Sequence, residues 1–255
     1  MTELHVMKCH KVTIEEARAS RYKDWVVNEK VDGTRTLFKN GQLVSPERVG
    51  FKAERFAHIQ AELLKIDADL DGEVWLPEKG SNVHSVNKRE NWAKCKYAVF
   101  DITRKGTKDL TVLPYRKRIE ILQELIDQAQ FKHTAIVRCF NSIDEGWKII
   151  KDEGLEGLVI KNQESSYACI RSTNWLKIKN WLEAEVEIVG LETGKLHGSF
   201  KIKTGGSVNA LSEDLVAEYQ RLKMRGQVFG EIEYLFKTKD GKHFQPILKR
   251  LKGVD

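Results

Sequence analysis

The amino-acid sequence predicts an α+β fold. A larger domain of helices and mostly antiparallel sheets spans residues 1–182, and a small Greek-key β-barrel of OB-fold type spans residues 183–255. Three observations predict this. Helical segments in the first part are short and well punctuated. Strand-like runs lie between them in irregular alternation. After about residue 182 the texture changes to short strands around a single helix.

Taken in order, Thr13-Ile-Glu-Glu16 has the form of a capping box and predicts a short helix near the start. Asp24–Glu29 reads as a strand. Lys39-Asn-Gly-Gln42 lies between apolar runs, and its Asn-Gly dipeptide predicts a hairpin turn. Phe56, Ile59 and Leu63 recur at helical spacing, and Asp71–Leu76 and Lys96–Ile102 read as strands. Tyr115, Ile119, Leu122, Ile126 and Ala129 mark a longer helix that begins after Pro114. Ala135–Phe140 reads as a further strand. A second capping box, Ser142-Ile-Asp-Glu145, opens a helix with Trp147 and Ile150 that Gly154 stops. Leu158–Lys161 is the last strand-like run before the change of texture.

In the tail, Ala184–Leu191 and Ser199–Lys203 read as strands. Ser212 can cap a helix bearing Leu215, Tyr219 and Leu222 that ends at Gly226, and Val228–Phe236 and Ile247–Leu251 follow as strands.

At 255 residues, with hydrophobic 41% and charged 31%, the chain can bury a real core in each of two domains. Its net charge of +6 suits a polyanionic partner but does not establish one. The four cysteines, Cys9, Cys95, Cys139 and Cys169, form no C-x-x-C pair, which removes zinc-ribbon, thioredoxin-like and disulfide-scaffold readings. The N-terminal MTELHVMKCHK has no long apolar core, and no run approaches a membrane span. The expectation is a cytoplasmic, monomeric protein without membrane association.

The strongest chemical signal is Lys30-Val-Asp-Gly-Thr-Arg35, just after the apolar Trp25-Val-Val27. A lysine at a strand end, before Asp-Gly, is held where the backbone can turn sharply. It can act as a nucleophile if cations or desolvation lower its pKa. Arg35 can bind phosphate as a fork. A solvated Asp-Gly hairpin would explain this hexapeptide equally well. Four more segments weigh against that. They are Asp71-Gly-Glu-Val-Trp75, Tyr97-Ala-Val-Phe-Asp-Ile102, Glu156-Gly-Leu-Val-Ile-Lys161 and Trp175-Leu-Lys-Ile-Lys179. In the last of these the period of two puts Lys177 and Lys179 on one face. Singly, each could be a turn, a core aromatic or a solvated edge.

Their order and spacing resemble the nucleotidyltransferase motifs I, III, IIIa, IV and V shared by ATP-dependent DNA ligases, RNA ligases and mRNA capping enzymes. The resemblance covers Trp25 to Lys179 and continues more weakly into the tail. It implies an adenylation domain followed by an OB-fold, with ATP and Mg²⁺ as cofactors and Mn²⁺ as a substitute metal. Lys30 would attack the α-phosphate and become lysyl–AMP. Arg35 would contact the 5′-phosphate of a nick. Glu73 would bind the ribose and assist with metal, and Glu156 would hold the divalent cation. Phe100 would stack on adenine, and Asn28, two residues before the lysine, would help to recognise it. Lys177 and Lys179 would neutralise the α-phosphate and lower the pKa of Lys30.

The same resemblance implies further roles. Arg48, in Leu43-Val-Ser-Pro-Glu-Arg48, stands for the family's arginine after the first hairpin. Arg118 matches a recurrent family arginine grouped with the leaving-group residues, or else lies on an exposed helix face. In Pro246-Ile-Leu-Lys-Arg-Leu-Lys252, Lys252 and Arg250 are the candidates for orienting pyrophosphate. The arginine of the first motif, the Trp-Leu-Lys-Ile-Lys form of the last and the short OB-like tail resemble the smaller DNA ligases acting on nicked double-stranded DNA. The alternatives are an RNA ligase, a capping guanylyltransferase, or a catalytically dead OB module that binds nucleic acid.

Overall fold

In the computed structural model, which describes residues 5–46, 50–78, 81–192, 198–210, 212–238 and 240–254, the chain divides into two compact units, Met1–Lys179 and Asn180–Asp255. The division falls slightly before residue 182, because Leu182 already opens a strand of the second unit.

The first unit runs, in chain order, β1 (Lys8–Lys11), α1 (Ile14–Ala17), β2 (Val26–Glu29), β3 (Thr34–Lys39), β4 (Gln42–Val44), α2 (Ala57–Leu63), β5 (Ala68–Trp75), α3 (Val83–Val86), β6 (Lys96–Lys105), β7 (Lys108–Asp109), α4 (Tyr115–Ala129), β8 (Thr134–Ile136), β9 (Cys139–Phe140), α5 (Ile143–Glu153), β10 (Gly157–Lys161) and β11 (Arg171–Lys179). Two sheets result. One has the order β1-β11-β10-β2-β9, the other β4-β3-β5-β6-β7 with β8 also on β6.

Local chemistry sets many of these ends. Thr13 and Glu16 form the reciprocal capping box at α1. At α5, Ser142 accepts from the Glu145 N–H, and Gly154 ends the helix in a left-handed conformation. Here the Glu145 side chain reaches the Asn141 N–H rather than the N-cap, so this capping box is only half formed. Asn40 and Gly41 both take positive φ, 50° and 77°, in the turn that pairs Lys39 with Gln42.

Packing follows the apolar faces. Phe56, Ile59, Leu63 and Leu122 bury against Phe38, Leu70, Val74 and Val99 of the second sheet. Trp147 and Ile150 of α5 bury against Val27, Leu158, Ile160, Leu176 and Ile178 of the first. Each such side chain contributes about 1.5–3 kcal/mol on leaving water. A further cluster of Met7, Tyr115, Tyr167 and Trp175, with Phe100 packed against it, joins residues of both sheets.

One expectation is corrected. The predicted strand Ala135–Phe140 is two strands in different sheets: β8 runs parallel to β6, whereas β9 is antiparallel to β2. The chain changes sheets at Val137 and Arg138, so no single pleat could span it. The sheets are mostly antiparallel, as expected, with β1 on β11 and β8 on β6 as the parallel pairs. With Lys8, His10 and Lys11 among its four residues, β1 carries no apolar alternation that would announce a strand.

The second unit contains β12 (Leu182–Glu192), β13 (Ser199–Ile202), β14 (Ser207–Asn209), α6 (Glu213–Lys223), β15 (Val228–Tyr234) and β16 (Ile247–Gly253). Its sheet, in the order β14-β13-β12-β15-β16, is antiparallel throughout. It curls until β14 and β16 approach each other. Val228, Ile232 and Tyr234 are buried, and Tyr219 of α6, capped by Ser212, packs with them. All four cysteines are free. No helix among the described residues is long and apolar enough to cross a membrane.

Candidate active site

The register of β10, held between β2 and β11, assembles a charged cluster. Leu158 pairs with Glu29, Gly157 pairs with Lys179, and the Lys30 N–H donates to the Gly157 carbonyl at 2.8 Å. Glu156, one residue earlier, therefore meets both lysines. Its Oε2 accepts from Lys30 Nζ at 2.6 Å, and its Oε1 lies 3.4 Å from Lys179 Nζ. Gly157 makes the close crossing sterically feasible. At φ +153° its added Cβ would stand 1.9 Å from the Ile178 carbonyl oxygen. The other sheet contributes Glu73, which accepts from the Gly33 N–H at 3.0 Å, and Asp32 accepts from the Val83 N–H at 3.2 Å.

Electrostatics then decide the charge state of Lys30. Burial opposes its charge, but Glu156, Glu73 and the hydrogen bond to Glu156 outweigh burial and raise its pKa above the ordinary lysine value. Whatever Lys177 and Lys179 contribute, the net direction for Lys30 is upward, and Lys179 is itself engaged by Glu156. Lys177 does carry a lowered pKa, from burial and then from the like charge of Lys30. Burial, reinforced by Glu156, pushes Glu73 up to about 7 and Asp32 up to about 6, with Lys30 opposing in both.

A cavity of about 240 Å³ opens beside this cluster. Asn28, Lys30, Arg35, Glu73, Phe100 and Lys177 all line it. Asn28 is buried, and its amide donates to Cys139 Sγ at 3.0 Å. Phe100 meets Trp175 edge to face, with ring centroids 6.0 Å apart. Six of the expected site residues thus share one cavity, and Glu156 and Lys179 join it through ion pairs. Arg35 arrives with its fork already engaged, donating from Nε and Nη2 to the two oxygens of Asp71 at 3.1 and 2.6 Å.

The remaining expectations fare differently. Arg48 lies outside the described residues. Arg118 is neither on an exposed face nor free to meet a leaving group. It is 0% exposed, pairs with both oxygens of Asp101 at 2.8 and 2.9 Å, and donates to the Leu113 and Ser165 carbonyls. Arg250 and Lys252 belong to the second unit. Both pair with Glu231, and Lys252 also lies 3.3 Å from Glu185.

Lys161 lines the cavity and was not among the expected site residues. Its ammonium donates to the Phe100 carbonyl at 2.9 Å and the Tyr115 hydroxyl at 3.1 Å, and stands 4.3 Å from the Trp175 ring centroid. Burial pushes it down to about 8 against the pull of Asp101. A signal existed in its pairing, because the period of two puts Lys161 on the face of Val159, which also lines the cavity.

The carboxylates fit a hard divalent cation. Glu73 and Asp32 are raised first by burial and then by the neighbouring charge of Glu156, and carboxylate oxygens of this kind are the donors that Mg²⁺ prefers. Among the described residues no group of three His, Cys, Asp or Glu side chains forms a ready-made metal cage.

A family model, the ATP dependent DNA ligase domain, matches residues 6–179. The bifunctional non-homologous end joining protein LigD of Bacillus subtilis (strain 168) is 29% identical over 206 residues, which cover 66% of this chain and 33% of LigD. This chain therefore spans about a third of that relative's length. The SPbeta prophage-derived DNA ligase-like protein LigB of the same organism is 26% identical over 208 residues, 71% of this chain and 76% of LigB. Among solved structures, a Lig E DNA ligase superposes with a TM-score of 0.70 at 19% identity, covering 99% of this chain and 100% of that one. The ligase domain of M. tuberculosis LigD gives 0.62 at 20% identity, covering 98% and 95%. At these identities the likeness is one of fold. The family match, however, takes in every motif from β2 to β11, together with the lysine, carboxylates and aromatics that face the cavity, and this chain belongs to the ATP-dependent DNA ligase family.

Proposed function

We propose that the protein seals 5′-phosphate/3′-hydroxyl nicks in duplex DNA, acting as a monomer with Lys30 as the adenylated residue. The observation that carries the reading is Lys30 at the cavity wall, paired with Glu156 at 2.6 Å and flanked by Lys177. Adenine would lie against Phe100 beside Asn28, with the ribose toward Glu73. Lys30, once neutral, attacks the α-phosphate. A P–N bond forms, the bond to the β-phosphate breaks, and pyrophosphate leaves. A 5′-phosphate oxygen of the nick then displaces Lys30 to give adenylated DNA, and the 3′-hydroxyl finally displaces AMP.

Such transfers need aligned reactants and neutralised oxygens more than acid–base machinery. Lys177 and Lys179 supply fixed positive charge for the α-phosphate, and Arg35 supplies it for the 5′-phosphate. Glu156 and Glu73 would hold Mg²⁺, which would neutralise phosphate oxygens when bound. The curled antiparallel sheet with its single helix supports reading the second unit as an OB-fold. Arg250 and Lys252 on β16 would there orient pyrophosphate once freed from Glu231.

A panel of nicked substrates tests the reading. With ATP and Mg²⁺ the protein should seal a nick in duplex DNA faster than the same nick in RNA. Sealing of RNA alone would overturn the DNA assignment.

A further inference from the structure

Asp71 has no exposed surface, and two side chains address it with three hydrogen bonds. Arg35 donates to both of its oxygens, as described above. The Tyr167 hydroxyl donates to Oδ2 at 2.6 Å. Burial, and then the charge of Asp71, raise the Tyr167 pKa, so the hydroxyl stays a donor at working pH. Tyr167 belongs to the segment between β10 and β11. Its N–H donates to the Thr111 carbonyl at 2.8 Å, and its ring meets Trp175 edge to face at 5.9 Å.

We propose that Tyr167 is a positioning residue that acts through Asp71 to aim the Arg35 guanidinium at a phosphate in the cavity. The proposal rests on the phosphate role given to Arg35 above. A guanidinium is planar, so fixing its Nε–Nη2 edge on Asp71 also fixes where Nη1 points. Arg35 lines the cavity and stands 5.6 Å from the Phe100 ring centroid, so the edge turned from Asp71 is the one left to meet a phosphate there. The Asp71 carboxylate can hold that plane only if its own rotation is stopped. The Tyr167 hydroxyl supplies that stop, in a buried setting where a missing hydrogen bond is not replaced by water.

Tyr167→Phe keeps the ring and its contact with Trp175 while removing the stop. In single turnover, pre-adenylated Tyr167→Phe protein should transfer AMP to a 5′-phosphorylated nick about tenfold more slowly than wild type. Its self-adenylation from ATP should stay within about twofold of wild type, because Arg35 is engaged at the DNA step. Arg35→Ala should slow AMP transfer further, and the double variant should be no slower than Arg35→Ala alone, since Tyr167 acts through Arg35. A silent Tyr167→Phe, equal losses in both steps, or defects that multiply in the double variant would each overturn the role of Tyr167. An unimpaired Arg35→Ala would instead remove the phosphate role of Arg35, and the proposal with it.

Discussion

Lys30 Nζ and Glu156 Oε2 lie 2.6 Å apart as a partly buried ion pair, so the residue assigned as nucleophile rests as a charged donor. Attack on phosphorus needs a neutral amine. Glu156 must therefore release Lys30 before reaction, and a divalent cation held by Glu156 would favour that release.

Removing the carboxylate charge should expose this directly. In Glu156→Gln the pKa of Lys30 falls, so a small amine-acylating reagent should label Lys30 several-fold faster than in wild type, without nucleotide. Peptide mass mapping after timed labelling reads the outcome. The same variant should lose self-adenylation, because it loses the carboxylate proposed to hold the metal. Equal labelling of Lys30 in both proteins would show that Glu156 does not hold its proton.

Glu73 supplies a pH dependence. Its pKa rises to about 7, first through burial, from an ordinary value near 4.3. The folded protein thus keeps a proton that the unfolded chain releases, and the stability this confers is present at low pH and lost as pH rises between about 4.5 and 7. For this partly screened group the loss is roughly 1–3 kcal/mol. Urea midpoints at pH 5 and pH 7.5 should differ less in Glu73→Gln than in wild type. Parallel pH profiles would refute the assignment.

Arg118 and Asp101 form a buried pair within the fold. Arg118→Ala leaves Asp101 charged and uncompensated, and should cost about 3–5 kcal/mol in urea unfolding. The double replacement Arg118→Met with Asp101→Leu should be much milder, because no buried charge is orphaned. If Arg118→Ala unfolds at the wild-type urea concentration, the pair does not support the structure.

What was legible in the sequence was local or carried by motif order. Thr13, Ser142 and Ser212 cap the helices they announce, because a cap needs only residues within one turn. Glu73, Phe100 and Lys177 reach one cavity from β5, β6 and β11, and Lys30 reaches it from just past the end of β2. The rest needed partners far along the chain. β1 is a strand only because β11 lies beside it. The engagement of Arg35 depends on Asp71 and Tyr167, on two other segments. Arg118 is instructive, since Tyr115, Arg118, Leu122 and Leu125 form the buried stripe of α4 at helical spacing. The apolar spacing of the helix left Arg118 on its exposed face, and an arginine in the buried stripe is intelligible only once Asp101 is seen across from it.

The most direct test of the central claim is covalent labelling with ATP radiolabelled at the α-phosphate, in the presence of Mg²⁺. Wild-type protein should acquire one acid-labile AMP, mapped to Lys30, and Lys30→Ala should acquire none. Label retained in Lys30→Ala, or no label on the wild type, would contradict the account.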